Sequence, residues 1–426
     1  MDEGLTAWLV KMPWRQMIAE VRNWEQTPPG IHALLWGWTR VFGDSEVSLR
    51  LPSALLGIWA VYWIWRLTRE SYGTVPGLVA AAVLAVNAYH IHYSREARGY
   101  SLMVTAGLAS LVYFLRALRG DRRRLTGIGY VVATSVTLYA HLYGGFVAAA
   151  EFFVYWIAWA GTRVRRQAWS GMSVRDWLFL VAAVAILYGP WVNVVLFEWT
   201  WVVSNGMFWL RDKGPAMIGR ALAEYWGWGG LGIAAWVAGA GAVDGLWRRR
   251  RSPATWLMVG VAVLSLLAPV AISMIWTPVF WPRYGIMTLI AMIVLIGAAV
   301  TNRKWAGVVI VLASVGAIVA ARRAPVKEDW RGVTRDLNRD VRPGDTIVNS
   351  IAYTHIVFDY YWRRTDIRRV EASDSEIGSL IADAQRVWVV MHLTRYDPAD
   401  LAKDNPGWHI AEKRLYHDIT LVRLER

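Results

Sequence analysis

Long apolar runs, parted by short polar or basic blocks, recur from Leu51 to Ala321. A helix needs ~20 apolar residues to cross the ~30 Å hydrocarbon layer of a bilayer. On that measure the pattern predicts spans at Leu51–Trp65, Val75–Ala88, Ser101–Leu115, Thr126–Ala140, Tyr143–Ala160, Trp177–Phe197, Trp226–Leu246, Thr255–Trp276, Tyr284–Val300 and Trp305–Ala321, about ten in all. Several are short and must borrow flanking residues. An earlier run, Pro28–Phe42, is too short for a full crossing and is predicted to lie along the interface as an amphipathic helix.

After Ala321 the pattern turns soluble. Asp329–Val341 reads as a helix, the turn Arg-Pro-Gly-Asp at Arg342–Asp345 leads into a strand at Thr346–Val348, and further strands are expected at Ile367–Val370 and Val387–Met391. Helices at Tyr353–Trp362 and Ser375–Ala384 alternate with them, so a small α/β domain is predicted. The fold class is thus an α-helical polytopic membrane protein with a small external α/β C-terminal domain. The expected divisions are 1–50, an acidic loop with interfacial helices; 51–321, the transmembrane domain; and 322–426, the soluble domain.

Composition agrees: of 426 residues 56% are hydrophobic and only 18% charged, too apolar for a soluble chain of this size. The net charge of +14 raises the question of nucleic acid, but the basic residues stand in short blocks between apolar runs, where they orient helices. A nucleic-acid partner is therefore set aside. Cysteine is absent, which removes disulfides and thiolate metal sites. The 28 tryptophans suit headgroup belts and, more weakly, sugar-facing surfaces. The chain opens directly on Met-Asp-Glu, with no signal-peptide pattern.

Basic blocks at Arg116–Arg124, Arg163–Arg175, Arg248–Arg251 and Arg303–Lys304 mark the cytoplasmic side. Counting spans between them assigns Asn87–Tyr100, the turn at His141, Glu198–Glu224, Trp276–Arg283 and the C-terminal domain to the extracytoplasmic side of the plasma membrane. Arginine should be depleted there, yet Arg95 and Arg98 flank Glu96, Arg283 stands beside Tyr284, and Arg50 sits at the outer end of a span. Ion pairs with Glu96 and a snorkelling anchor at Arg50 are the plain structural explanations. His90, His92 and His141 share this side; without a thiol or an H-x-x-x-H pair they do not make a zinc site. Arginines at headgroup depth suit a lipid-linked phosphate, and a carboxylate such as Asp2 or Glu3 can take a proton from an acceptor hydroxyl.

Read in order, Asp2-Glu3, Pro28-Pro29 opening an apolar helix, Leu-Arg-Leu-Pro-Ser-Ala-Leu-Leu-Gly from Leu49, Tyr-Ser-Arg-Glu-Ala-Arg-Gly-Tyr-Ser-Leu from Tyr93 and Pro282-Arg283-Tyr284 resemble the polyprenyl-phosphate-dependent glycosyltransferases of the C superfamily. The likeness is to the bacterial branch similar to protein O-mannosyltransferases and lipid A aminoarabinose transferases. It implies inverting transfer of one sugar from a polyprenyl-phosphate donor to a hydroxyl on a lipid, glycan or protein, with membrane lipids around it and no nucleotide sugar at the site. The resemblance puts the acidic pair on Asp2 and Glu3, Asp2 being the expected base. Phosphate-facing roles fall on Arg50, Arg95, Arg98, Arg283 and Tyr284, and substrate-binding roles on His92, His141 and Tyr100. No cofactor is assigned; a divalent metal is left open.

Two departures stand out. Gln26-Thr27 occupies the place where relatives carry histidine or lysine before the proline, and the chain starts where the family's first helix is expected to end. The rival reading is a flippase or transporter of a lipid-linked anion. That function needs polar groups inside the spans, where Glu151 and Asp244 are the main exceptions to an almost uncharged interior.

Overall fold

A computed structural model describes the chain apart from residues 1, 24, 26, 167, 206–213, 227–231, 351–353, 372–383 and 393–398 and the greater parts of 301–327 and 401–405. Two compact units emerge, one made of Pro13–Arg323 and the other of Met1–Met12 with Ala324–Arg426.

The larger unit is helical: α2 (Trp14–Asn23), α3 (Gly30–Phe42), α4 (Glu46–Tyr72), α5 (Thr74–Ala85), α6 (Ala88–Ser94), α7 (Tyr100–Leu118), α8 (Arg124–Ala140), α9 (Gly144–Val164), α10 (Val174–Asn205), α11 (Ala216–Trp226), α12 (Gly232–Arg249), α13 (Pro253–Ile275) and α14 (Ile286–Ala299). Among the described residues six helical segments have the length and apolarity to cross a bilayer, or seven if the bent pair α5–α6 is one span. The expected count of about ten is not reached. Helix α8 has 17 residues, α12 ends in Arg248 and Arg249 and carries Asp244, and the expected span at Trp305–Ala321 falls largely outside the described residues.

Local sequence explains the helix ends that matter. The Ser45 side chain caps α4 by accepting from the Ser48 N–H at 3.2 Å, with Glu46 in the first turn where the helix dipole favours an acid. The 27 residues of α4 extend ~40 Å. At its other end Arg66 donates to Glu70 at 2.7 Å and Arg116 of α7 grips the same carboxylate through two nitrogens, tying the two helices together.

The segment Asn87–Tyr100, expected on the extracytoplasmic side, is itself partly helical and largely buried. Asn87 caps α6, accepting from the His90 N–H at 2.9 Å, and α6 bends 62° away from α5. Tyr89, His90, His92, Tyr93 and Ser94 are buried. Gly57 of α4 makes this possible, because a Cβ there would collide with the Ser94 hydroxyl.

Helices α7 and α14 form the centre of the unit: 89% of the span windows at Tyr100–Leu118 and Pro282–Ala299 is buried, against 39% for Glu46–Tyr72. Glu151 of α9 is wholly buried in this interior, where Ser110 of α7 donates to it at 2.7 Å and lies 2.7 Å from Thr134 of α8. Glu151→Gln is expected to leave stability within ~0.5 kcal/mol, and Glu151→Ala to cost ~1–2 kcal/mol, as cross-helix hydrogen bonds in membranes do. Thermal unfolding of the detergent-solubilised protein measures both.

The smaller unit is a five-stranded sheet of β1 (Thr346–Asn349), β2 (Arg368–Glu371), β3 (Arg386–His392), β4 (His409–Tyr416) and β5 (Ile419–Glu425), in the order β2-β1-β3-β5-β4. Strand β1 runs parallel to β2 and β3, while β5 is antiparallel to β3 and to β4. One face packs Ile347, Trp388, Val390 and Leu421 on α15 (Trp330–Asp340) and α16 (His355–Tyr361); the other gathers Val348, Val389, Val422 and Trp408. From residue 328 onward, every described element of this unit agrees with the expected strands and helices to within two residues except the hairpin β4–β5, which was not foreseen. The expected helix at Ser375–Ala384 lies almost wholly outside the described residues.

Met1–Met12 group with Ala324–Arg426 in this unit. Helix α1 (Asp2–Lys11) packs on α16, with Gly4 so close to Val357 that no Cβ fits. A contact between positions so far apart in sequence leaves no periodic trace.

Asp345 anchors the sheet: Arg386 donates to both its oxygens, at 2.8 and 2.6 Å, and the Trp388 indole N–H donates at 3.1 Å. Burial pushes its carboxyl up, but these donors outweigh it and hold the pKa below the ordinary value. A depressed folded-state pKa means stability that is present above the unfolded pKa and lost as pH falls through the folded one. The small unit is therefore expected to lose stability as the pH drops below ~4, and Asp345→Ala to remove ~3–5 kcal/mol and that acid sensitivity together. Unfolding followed by tryptophan fluorescence against pH checks this.

Candidate functional site

Within the larger unit a row of aromatic rings links three pieces of chain that are distant in sequence. Tyr225 of α11 meets Tyr89 at 5.1 Å between ring centroids, Tyr89 meets Tyr93 at 4.7 Å, Tyr93 meets Tyr100 at 5.0 Å, Tyr100 meets His141 at 5.6 Å and His141 meets Tyr284 at 5.2 Å. Helix α11 fixes the ends of the row. Its Tyr225 carbonyl accepts from Asn87 Nδ2 at 3.0 Å, and the Tyr225 hydroxyl donates to the Pro282 carbonyl at 3.0 Å.

His141 stands at the middle of the arrangement. It follows α8 and is 5% exposed; its Nδ1 accepts from the Tyr143 N–H at 3.1 Å. Burial first, then the charges of Arg98 and Arg283, push its pKa down to about 3. The ring is thus neutral at pH 7, and because Nδ1 accepts, the proton sits on Nε2. That N–H is buried and has no hydrogen-bond partner.

The guanidinium groups around it are not equivalent. Arg98 is buried and donates to Glu25 at 2.8 Å, in a pair whose side chains are 10% and 5% exposed. The Thr27 hydroxyl donates to the same Glu25 oxygen at 3.0 Å. Arg283 is half-buried, with its guanidinium 5.5 Å from the Tyr284 ring centroid. Arg95, at the end of α6, is exposed. Arg50 is half-exposed at the start of α4, with Nη1 3.6 Å from Glu46. His92 Nε2 lies 3.4 Å from Glu96.

Arg98, Arg283, His141, Tyr100 and Tyr284 are thereby brought together. Arg98 pairs with Glu25, the carboxylate buried beside it. Asp2 and Glu3 belong to α1 in the smaller unit.

Sequence reasoning missed Glu25 and His32. His32 on α3 is fully buried with neither ring nitrogen hydrogen-bonded, and burial, with Arg98 nearby, pushes its pKa down to about 4 against the pull of Glu25. Glu25 also acts electrostatically on Glu198 of α10. The one available signal was the position of Glu25 just before Thr27-Pro28-Pro29. Among the described residues no three His, Asp or Glu side chains converge as metal ligands.

Residues 26–188 match the family described as dolichyl-phosphate-mannose-protein mannosyltransferase. No curated protein matches the chain in sequence. Among solved structures, the chain is similar to ArnT from Cupriavidus metallidurans in the apo state, with TM-score 0.66, 13% identity, and coverage of 99% of this chain and 93% of ArnT. The same ArnT bound to undecaprenyl phosphate gives TM-score 0.64 at 13% identity and the same coverage. The arabinofuranosyltransferase AftD from Mycobacteria gives TM-score 0.54 at 13% identity, over 92% of this chain and 35% of AftD.

Proposed function

We propose that this chain acts as a polyprenyl-phosphate-dependent glycosyltransferase of the C superfamily and transfers a single sugar, with inversion, from a polyprenyl-phosphate donor to a hydroxyl acceptor on the extracytoplasmic face of the plasma membrane; the family match over residues 26–188 and the fold likeness to ArnT support this reading. The observation that supports this most is the cluster of side chains around His141. A neutral imidazole with its Nε2–H unpartnered and the charges of Arg98 and Arg283 acting on it is suited to a phosphate oxygen, and the tyrosine row supplies apolar walls. The ArnT relative was solved with undecaprenyl phosphate, a ligand of the proposed class.

In this reading Arg283, Tyr284 and Arg98 hold the donor phosphate, with Arg50 and Arg95 at its approaches and His92, His141 and Tyr100 contacting substrate. Asp2, assisted by Glu3, takes the proton from the acceptor hydroxyl. The hydroxyl oxygen attacks the anomeric carbon from the face opposite the phosphate, the carbon–oxygen bond to phosphate breaks, and polyprenyl phosphate leaves with its charge stabilised by the arginines.

The test is to incubate membranes containing the protein with radiolabelled polyprenyl-phosphate sugars and separate the glycosidic products. Transfer is expected, and Arg283→Ala should raise KM about 10–100-fold with a smaller change in kcat, as for loss of a charge-assisted contact to bound phosphate. Labelled lipid that crosses vesicles without forming a glycosidic bond would instead establish the flippase reading, for which the buried Glu151 is the favouring feature.

A further inference from the structure

The small unit contains a second candidate site, at the carboxyl ends of its parallel strands. Strand β1 lies between β2 and β3 with all three parallel, and the chain leaves β1 through α16 toward β2 on one side. It leaves β3 for β4, beyond β5 on the other side. Successive connections that depart in opposite directions make the β1/β3 boundary a topological switch point, and in open α/β sheets the crevice at such a point is where ligands bind.

Buried polar groups without hydrogen bonds lie at that same place. Asn349 ends β1 and is 2% exposed with Oδ1 unpartnered; Ser350 follows, 3% exposed with Oγ unpartnered, its N–H held by the Val390 carbonyl at 3.1 Å. His392 ends β3 and is 1% exposed; neither ring nitrogen makes a hydrogen bond, although Nε2 lies 3.2 Å from Glu328. Glu328 is oriented by the Trp330 indole N–H, which donates to its other oxygen at 3.0 Å. Buried polar atoms left unsatisfied forfeit their hydration without compensation, so several gathered at one sheet edge call for a ligand or ordered water.

The chemistry of the set limits what that ligand is. Asn349 Oδ1 accepts, Ser350 Oγ accepts or donates, and His392 Nδ1 adds a ring nitrogen whose role follows the tautomer. None of these groups is a lysine or arginine, and the strand ends lack the glycine-rich phosphate-binding pattern, so the edge is not built for an anion. We infer that the β1/β3 crevice, through Asn349, Ser350 and His392, binds a neutral, hydroxyl-bearing ligand of the carbohydrate class. The inference concerns the small unit alone and does not depend on the transfer reaction.

Full-length protein in lipid nanodiscs, probed with methyl α-mannopyranoside and methyl arabinofuranoside by saturation-transfer NMR, tests it. Binding of at least one glycoside is expected, weakened at least about tenfold by Asn349→Leu and several-fold by the milder Ser350→Ala. Arg335→Ala, an exposed change on α15, is expected to leave binding as it is. Near-ultraviolet circular dichroism identifies any variant that fails to fold, and Ser350→Ala then decides. Absence of glycoside binding, preference for inorganic phosphate, or binding indifferent to Ser350→Ala overturns the inference and leaves the crevice to water.

Discussion

Replacing Asp2 by asparagine is expected to lower the rate of sugar transfer by about a hundred- to ten-thousandfold, the range lost when a general base is removed from a reacting hydroxyl. The substitution keeps size and hydrogen-bonding capacity and removes only the ability to take a proton, so kcat should fall much more than donor affinity. Glu3→Gln supplies the comparison. Full activity in Asp2→Asn with loss in Glu3→Gln would move the base by one residue, and indifference of both would remove the acidic pair from the chemistry.

The second large effect is expected at Arg98. Its guanidinium and the Glu25 carboxylate are paired at 2.8 Å and both buried, so Arg98→Ala strands a buried charge and should cost ~3–5 kcal/mol of stability. A purely structural pair can be replaced by packed apolar side chains with little loss, or even a gain. The double variant Arg98→Met with Glu25→Leu is therefore expected to recover the unfolding temperature. Donor binding should stay about tenfold or more weaker, because Arg98 also acts on His141 in the proposed phosphate recess. Equilibrium binding of undecaprenyl phosphate to the purified variants reads this directly, and full recovery of both properties would confine Arg98 to a structural role.

These two residues also show what a linear reading can and cannot reach. The string from Ser94 to Tyr100 drew attention because arginines are rare on the side to which the basic blocks assigned it, and Arg98 and Tyr100 do converge with Arg283, Tyr284 and His141. Glu25 escaped notice. Its partner is 73 residues away, and a lone glutamate between polar neighbours has no periodicity to betray burial. Apolar runs located most membrane helices because hydrophobic length is a strong local signal. The inward turn of α6 depends instead on the missing side chain of Gly57, which composition does not distinguish from any other glycine. The hairpin β4–β5 was overlooked for a related reason. Its strands alternate polar and apolar residues, but no Asn-Gly or Asp-Gly marks the turn, where Asp418 adopts a left-handed φ of 57°.

The packing of α1 on α16 has a consequence for biogenesis. Gly4 is translated some 350 residues before Val357, against which it packs. At ordinary elongation rates of about 5–20 residues per second that is a delay of roughly 20–70 s. Throughout it α1 must wait while the intervening helices are made, so it can dock only after α16 has been synthesised.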